Sequence, residues 1–302
     1  MVRVGVVLLP EERWVRDRAR WRQVEDWGFD HAWTYDHLSW RSLADGPWFA
    51  TVPLLAAAAE ATSRVALGTF VATPNFRHPV PFAKDVLGLD DVSGGRLLLG
   101  LGSGGTGYDA SVLGPPPTPG ERTRRFEEFV ALLDALLTQD RTSAQGEFYT
   151  ADDARMVPGT LARPRPPFVV AAAGPRAMAV AARYGQGWVT YGPSFAPDET
   201  AADPVAAQDR WWDGVAGQAR AFDDALAAHG PADAPAPRRY LNLDGAPVFS
   251  LASVETALEG IARAQALGFT DVVVHWPRAD GVYAGDVAVL EALAGRRPPA
   301  SA

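Results

Sequence analysis

The chain contains no cysteine. Disulfide staples, thiol nucleophiles and zinc–thiolate sites are thereby excluded, because each requires a sulfur that is not there. It also lacks a basic stripe. The formal net charge is −8, whereas nucleic-acid binders carry clustered positive charge, so no nucleic-acid partner is expected. No apolar run approaches the roughly 20 residues of a membrane helix, so no membrane partner is expected either. No basic-then-apolar leader opens the sequence: MVRVGVV is too short for one and reads as the start of a strand. A cytoplasmic location is the default expectation. What is present is 47% hydrophobic and 21% charged, which is the composition of a packed fold and not of a disordered chain. With 302 residues, the chain has room for one large α/β barrel or two ordinary domains.

Residues 64–105, RVALGTFVATPNFRHPVPFAKDVLGLDDVSGGRLLLGLGSGG, show the local pattern. Val65, Leu67, Phe70 and Val71 make one β-rich run, and Leu97-Leu98-Leu99 makes another, as in strands buried on both faces. Between them the apolar spacing is helical and Ser93-Gly94-Gly95 ends it. Each strand leads into residues suited to binding: Thr69, Thr73 and Asn75 after the first, Gly102-Ser103-Gly104-Gly105 after the second.

The same alternation runs through the chain. Strands are predicted over 4–9, 29–35, 65–71, 96–101, 168–172, 187–191, 239–243 and 270–276. Helices are predicted over 14–27, 48–61, 81–92, 120–138, 175–184, 204–228, 253–268 and 286–294, with a tail over 295–302. Residues 143–167, with four prolines, read as an irregular cover, and 193–237 as a second loop-rich insertion around its helix. Strict alternation implies parallel strands joined by right-handed crossovers. Eight units point to a single (β/α)8 TIM barrel over 1–302. An open doubly wound sheet would usually carry Gly-x-Gly-x-x-Gly after its first strand, and here that strand ends in Leu-Pro-Glu-Glu.

In a barrel, chemistry sits at the carboxyl ends of strands. Asp36-His37 ends the second. Neighbouring side chains of an extended segment point opposite ways, so one can face the mouth while the other anchors the loop. His37 there is a candidate proton donor or base; the plainer reading is a structural histidine bonded to a loop carbonyl. A metal shared by His275 and Asp36 across the mouth is the weaker alternative. Gly-Ser-Gly-Gly-Thr-Gly at 102–107 exposes backbone N–H groups and lets a phosphate or a flat ring approach; no Walker lysine follows. Arg122, Arg124 and Arg125 lie within reach of such a phosphate in sequence, although arginines at a helix start are more often solvated. Of ten tryptophans, Trp14, Trp21 and Trp27 form one helical stripe, Trp211-Trp212 reads as packing, and Trp33, Trp40, Trp48, Trp188 and Trp276 lie near strand ends.

Three segments, LGTFVATPNFRHP, GGRLLLGLGSGGTGYDA and AAAGPRAMAVAARYGQGWVTYG, in this order and spacing, resemble the bacterial luciferase-like flavin and deazaflavin oxidoreductases. The likeness is greatest to the actinobacterial branch that uses coenzyme F420. The resemblance implies a luciferase-like (β/α)8 barrel with the cofactor ring at its carboxyl end and commonly a homodimer. It places Asp36 and His37 beside the ring, with His37 as the acid/base partner of hydride transfer. It puts Thr69, Phe70 and Val71 against the ring, with a non-prolyl cis peptide at Phe70-Val71. It assigns Gly102-Ser103-Gly104 and Ala173-Gly174-Pro175 to the ring edge and cofactor tail. One departure matters: where sugar-phosphate dehydrogenases of this family carry a glutamate, this chain has Gly105.

The implied function is hydride transfer between F420 and a small organic substrate. The alternatives are an FMN-dependent monooxygenase using reduced flavin and oxygen, and a barrel that binds a flavin without turnover. Substrate contacts are expected from 40–48, 108–119 and 149–167, whose tryptophans and prolines suggest an apolar or cyclic molecule.

Overall fold

Each barrel strand is buried on both sides, and the reason is visible in its alternation. In the computed structural model, which describes residues 2–105, 107–195, 199 and 203–296, the strands are β1 (Arg3–Val7), β2 (His31–Thr34), β3 (Ala66–Thr69), β4 (Leu97–Leu101), β5 (Arg141–Gln145), β6 (Thr150–Arg155), β7 (Phe168–Ala171), β8 (Gly187–Thr190), β9 (Arg238–Asn242) and β10 (Asp271–His275). Val7, Trp33, Phe70, Val169, Val189 and Val273 meet inside the barrel. Their neighbours Val6, Ala32, Val170, Trp188, Val272 and Val274 point outward, into the layer beneath the helices. A fully buried Val or Leu is worth about 1.5–3 kcal/mol over an exposed one. A one-residue slip would exchange the two faces of every strand, so the register is firmly specified.

β1, β2, β3, β4, β7, β8, β9 and β10 pair in that order, every neighbour parallel, and β10 closes onto β1. The crossovers are α1 (Trp14–Asp26), α2 (Thr51–Ala61), α3 (Pro79–Val92), α5 (Pro119–Thr138), α6 (Pro175–Tyr184), α7 (Pro204–His229) and α8 (Val254–Ala266). A short α4 (Tyr108–Ser111) precedes α5, and α9 (Val287–Arg296) follows β10. The predicted (β/α)8 barrel is the observed fold, with most boundaries within one to three residues. Glu121 in the first turn of α5 belongs to a full capping box: its N–H donates to Thr118 Oγ1 at 3.3 Å, and Thr118 N–H donates to Glu121 Oε2 at 2.8 Å.

One expectation needs correction. Residues 143–167 are not wholly irregular: β5 and β6 form an antiparallel hairpin outside the barrel. Glu128 on α5 holds its turn, accepting from Phe148 N–H at 3.0 Å and Tyr149 N–H at 2.7 Å. The helix predicted over 204–228 within the 193–237 insertion is α7, which runs for 26 residues. Of the predicted tail, 297–302 lies outside the described residues, as do 196–198 and 200–202 of the predicted loop.

At the amino ends of the strands, a buried polar knot joins β1, β2, β9 and β10. Asp271 accepts from Arg3 Nε at 2.7 Å, Arg238 Nε at 2.8 Å and His31 Nε2 at 3.1 Å. Burial pushes the His31 imidazole down, so it is neutral, and its Nδ1 accepts from Trp33 Nε1 at 2.6 Å. Gly5 makes room for this ring: a Cβ there would stand 1.7 Å from His31 Nδ1. That end of the barrel is built for stability.

Candidate active site

The opposite end is built for binding. A cavity of about 620 Å³ opens at the carboxyl ends of the strands, within the roughly 300–1,000 Å³ typical of small-molecule sites. Tyr35 and His37 line it, and the intervening Asp36 does not. This is the alternation expected of an extended segment. Asp36 is 1% exposed and accepts from Arg77 Nε at 2.5 Å and Nη2 at 2.7 Å; the same guanidinium lies 4.5 Å from the Phe82 ring centroid. Asp36 is therefore the anchor of the loop and His37 the group presented to the mouth. Asp36 does not itself orient His37.

The carboxylate that meets His37 is Asp109, on α4. Its Oδ2 pairs with His37 Nδ1, and its Oδ1 accepts from Leu38 N–H at 2.8 Å. Trp48 Nε1 donates to the His37 carbonyl at 2.8 Å, fixing the loop from the other side. An ionised carboxylate only accepts, so the proton on this side of the ring sits on Nδ1. Nε2 is left for a ligand, and the side chain is 25% exposed.

The rest of the wall combines small residues with aromatic ones. Gly102, Gly104, Gly105 and Ala171 to Ala173 contribute backbone and at most a methyl group, Ser103 adds a small hydroxyl, and Phe70 and Val71 line the cavity across a cis peptide, as the resemblance implied. Tyr35, Trp40, Tyr191 and Tyr283 supply aromatic surface. Such a wall suits a flat, multi-ring cofactor, which needs close backbone approach on one part and apolar contact on another. Burial raises the Tyr35, Tyr191 and Tyr283 phenols above their ordinary value, so all three are neutral hydroxyls.

A second histidine lies within the same mouth. His275 Nδ1 stands 2.8 Å from Asp244 Oδ2, and its Nε2 stands 2.8 Å from the Tyr35 hydroxyl. Tyr35 also meets the Tyr283 hydroxyl at 2.9 Å. His275 and Asp36, the pair weighed for a shared metal, each meet other partners: Asp244 and Tyr35 for His275, Arg77 for Asp36.

Of the predicted site residues, His37, Phe70, Val71, Gly102, Ser103, Gly104 and Ala173 line the cavity. Thr69 does not; it is buried at the end of β3, its hydroxyl donating to the Gly100 carbonyl at 2.7 Å. Gly174 and Pro175 are the N-cap and first residue of α6 and do not belong to the lining. Arg124 is paired with Glu147 at 2.8 Å, and Arg125 donates to the Tyr149 hydroxyl at 3.1 Å and to the Pro74 carbonyl; neither lines the cavity. Among the tryptophans, Trp21 and Trp211 are core, and Trp27 stacks on Trp276 at 5.6 Å. Of the expected cover, Trp40 and Tyr108 reach the cavity and the 149–167 segment does not; residues 191–195, Asn242, Asp244, Gly245 and Tyr283 also line it.

Residues 2–211 match the family described as luciferase-like monooxygenase. The chain belongs to that family. It is 38% identical over 196 residues to the F420-dependent glucose-6-phosphate dehydrogenase of Beutenbergia cavernae, covering 63% of this chain and 56% of that one. It is 34% identical over 192 residues to the F420-dependent hydroxymycolic acid dehydrogenase of Mycobacterium tuberculosis, covering 62% and 52%. The chain thus aligns with only about half the length of these curated relatives. In fold it matches the crystal structure of a monooxygenase from Streptomyces bottropensis with a TM-score of 0.75 at 21% identity, covering 97% of each chain. No helix among the described residues is long and apolar enough to cross a membrane.

Proposed function

We propose that the protein is an F420-dependent oxidoreductase acting on a small organic molecule. The observation that carries this is the His37–Asp109 pair facing a cavity walled by glycine, alanine and the Phe70-Val71 pair. Two curated relatives with unlike substrates, a sugar phosphate and a hydroxymycolic acid, share F420, which supports the cofactor more than any substrate. When bound, F420 would accept or deliver hydride. The geometry supports the following division of tasks within this reading. Phe70, Val71 and the Gly102 to Gly105 backbone hold the ring, His37 Nε2 holds the proton that accompanies hydride, and Asp109 keeps the imidazole turned toward the cavity. Asp36 contributes by fixing the loop through Arg77, and Thr69, Gly174 and Pro175 by setting the backbone behind the wall. The reading includes a cytoplasmic enzyme working as a homodimer, which light scattering on the purified protein checks.

The family description favours one second reading, an FMN-dependent monooxygenase in the same cavity. Equilibrium titration with F420 and with FMN, each oxidised and reduced, separates them. Micromolar F420 binding supports the first. FMN binding with no F420 binding reverses the order.

A further inference from the structure

Tyr35 stands between two Asp–His pairs. Its ring centroid is 5.9 Å from His37, which Asp109 holds, and 5.5 Å from His275, which Asp244 holds. The second pair takes no part in the proposal above. Asp244 is fixed in turn by the His275 N–H at 2.6 Å and the Ser250 N–H at 3.0 Å, so its position is over-determined. Because that carboxylate accepts, His275 carries its proton on Nδ1 and its Nε2 is an acceptor. The Tyr35 hydroxyl therefore donates to His275, and its oxygen is left to accept. The Tyr283 hydroxyl is the donor to it within the protein.

Tyr283 is held there at some cost. Its φ of 60° lies in the left-handed region that bulky residues avoid, and strain of this kind clusters at functional sites. Its ring lies 3.7 Å from that of His275 at an interplanar angle of 12°. Arg278 closes the loop, donating to Glu11 at 2.9 Å and to the Val282 carbonyl at 3.2 Å.

We propose that Tyr35, His275 and Asp244 form a second proton-transfer chain, which accepts the hydroxyl proton of a small, uncharged alcohol or returns it to the matching carbonyl compound. This rests on the F420-dependent reading above. In the oxidative direction the substrate C–H bond breaks and its electron pair leaves as hydride to the oxidised deazaflavin. The substrate O–H bond breaks and its proton passes to the Tyr35 oxygen, while the Tyr35 proton passes to His275 Nε2. A C=O bond forms, and the resulting imidazolium is paired with the Asp244 carboxylate. His37, protonated from solvent at Nε2 and paired with Asp109 through Nδ1, gives its Nε2 proton to the reduced cofactor ring, and the His275 imidazolium returns its proton to solvent, so one hydride and one proton move from substrate to cofactor in total. The substrate is uncharged because, among the described residues lining the cavity, Arg41 is the single Arg or Lys. It lies at the exposed rim over Trp40 and leaves a phosphate without a buried cationic cradle.

Imidazole 15N NMR on the purified protein, wild type beside Tyr35→Phe and Tyr283→Phe, tests the chain without any substrate. The expected spectrum has the His275 proton on Nδ1 and a hydrogen-bonded Nε2 whose signal moves in Tyr35→Phe while the His37 signals do not. A proton on Nε2, or a His275 signal indifferent to Tyr35→Phe, overturns the proposal. A parallel assay offers oxidised F420 with 1-phenylethanol and cyclohexanol, and reduced F420 with acetophenone and cyclohexanone. Tyr35→Phe is expected to bind F420 as the wild type does, melt at the same temperature and lose about 10²-fold or more in kcat. Full kcat in Tyr35→Phe, or turnover of glucose 6-phosphate with none of these neutral compounds, contradicts the proposal. Failure of the wild type to bind F420 instead contradicts the functional reading and leaves the NMR result to judge the proton chain.

Discussion

Asp109 and His37 meet side chain to side chain although 72 residues separate them. The same carboxylate accepts the Leu38 N–H, so one residue both shapes the loop after β2 and sets the imidazole. His37→Ala is expected to bind F420 within a few-fold of wild type and to lose about 10²–10⁴-fold in turnover, the usual range for a general acid–base group. Asp109→Asn retains a side chain able to cap the loop and is expected to lose less. Steady-state rates beside cofactor titrations check both.

Asp36 and Arg77 form a buried, two-bond ion pair behind the same loop, with side chains 2% and 13% exposed. Removing one partner of such a pair leaves the other charge buried and typically costs about 3–5 kcal/mol. Asp36→Ala is therefore expected to lower stability by that order and to damage activity indirectly, through the position of His37. Urea unfolding of Asp36→Ala against His37→Ala distinguishes the two roles: the first destabilises, the second does not.

Gly105 has open space where a Cβ would stand, and it lacks the positive φ of Gly104 and Gly107. Gly105→Glu is thus expected to fold with an unchanged melting temperature. It would restore the carboxylate that sugar-phosphate dehydrogenases of the family carry, yet oxidation of glucose 6-phosphate is not expected, because no buried cation among the described residues faces the cavity. An F420-coupled assay with glucose 6-phosphate checks this.

Glu25 gives the clearest pH prediction. Burial alone would raise its carboxyl, but the N–H groups of Val65, Arg64 and Ser63, at 3.0, 2.6 and 2.9 Å, hold it down at about 2. A carboxyl depressed on folding stabilises above its unfolded value and loses that contribution as pH falls through its folded value. Glu25→Gln is expected to be less stable than wild type at pH 7. The gap should close between the ordinary value of 4.5 and about 2. Urea midpoints measured across that range show whether it does.

The barrel could be read from the chain because period-2 burial and helical stripes are local properties. Val6 and Val7, or Trp188 and Val189, face different layers simply by being adjacent. His37 was legible for the same reason, standing at a strand end beside an oppositely directed Asp36. Asp109 was not, since it follows a glycine-rich turn and acts on a residue brought near only by the pairing of β2 and β4 with β3. Tyr283 depends on a left-handed backbone position within a loop, which nothing in its flanking residues announces. The β5–β6 hairpin escaped because strands such as RTSAQ and TADDAR are polar and largely exposed, without the alternation that marks a half-buried strand.

A crystal structure of the protein soaked with F420 tests the central claim most directly. The deazaflavin ring should lie against Phe70, Val71 and the Gly102 to Gly105 backbone, within hydrogen-bond reach of His37 Nε2 directly or through one water. A ring bound elsewhere, or a cavity that takes FMN and refuses F420, would contradict it.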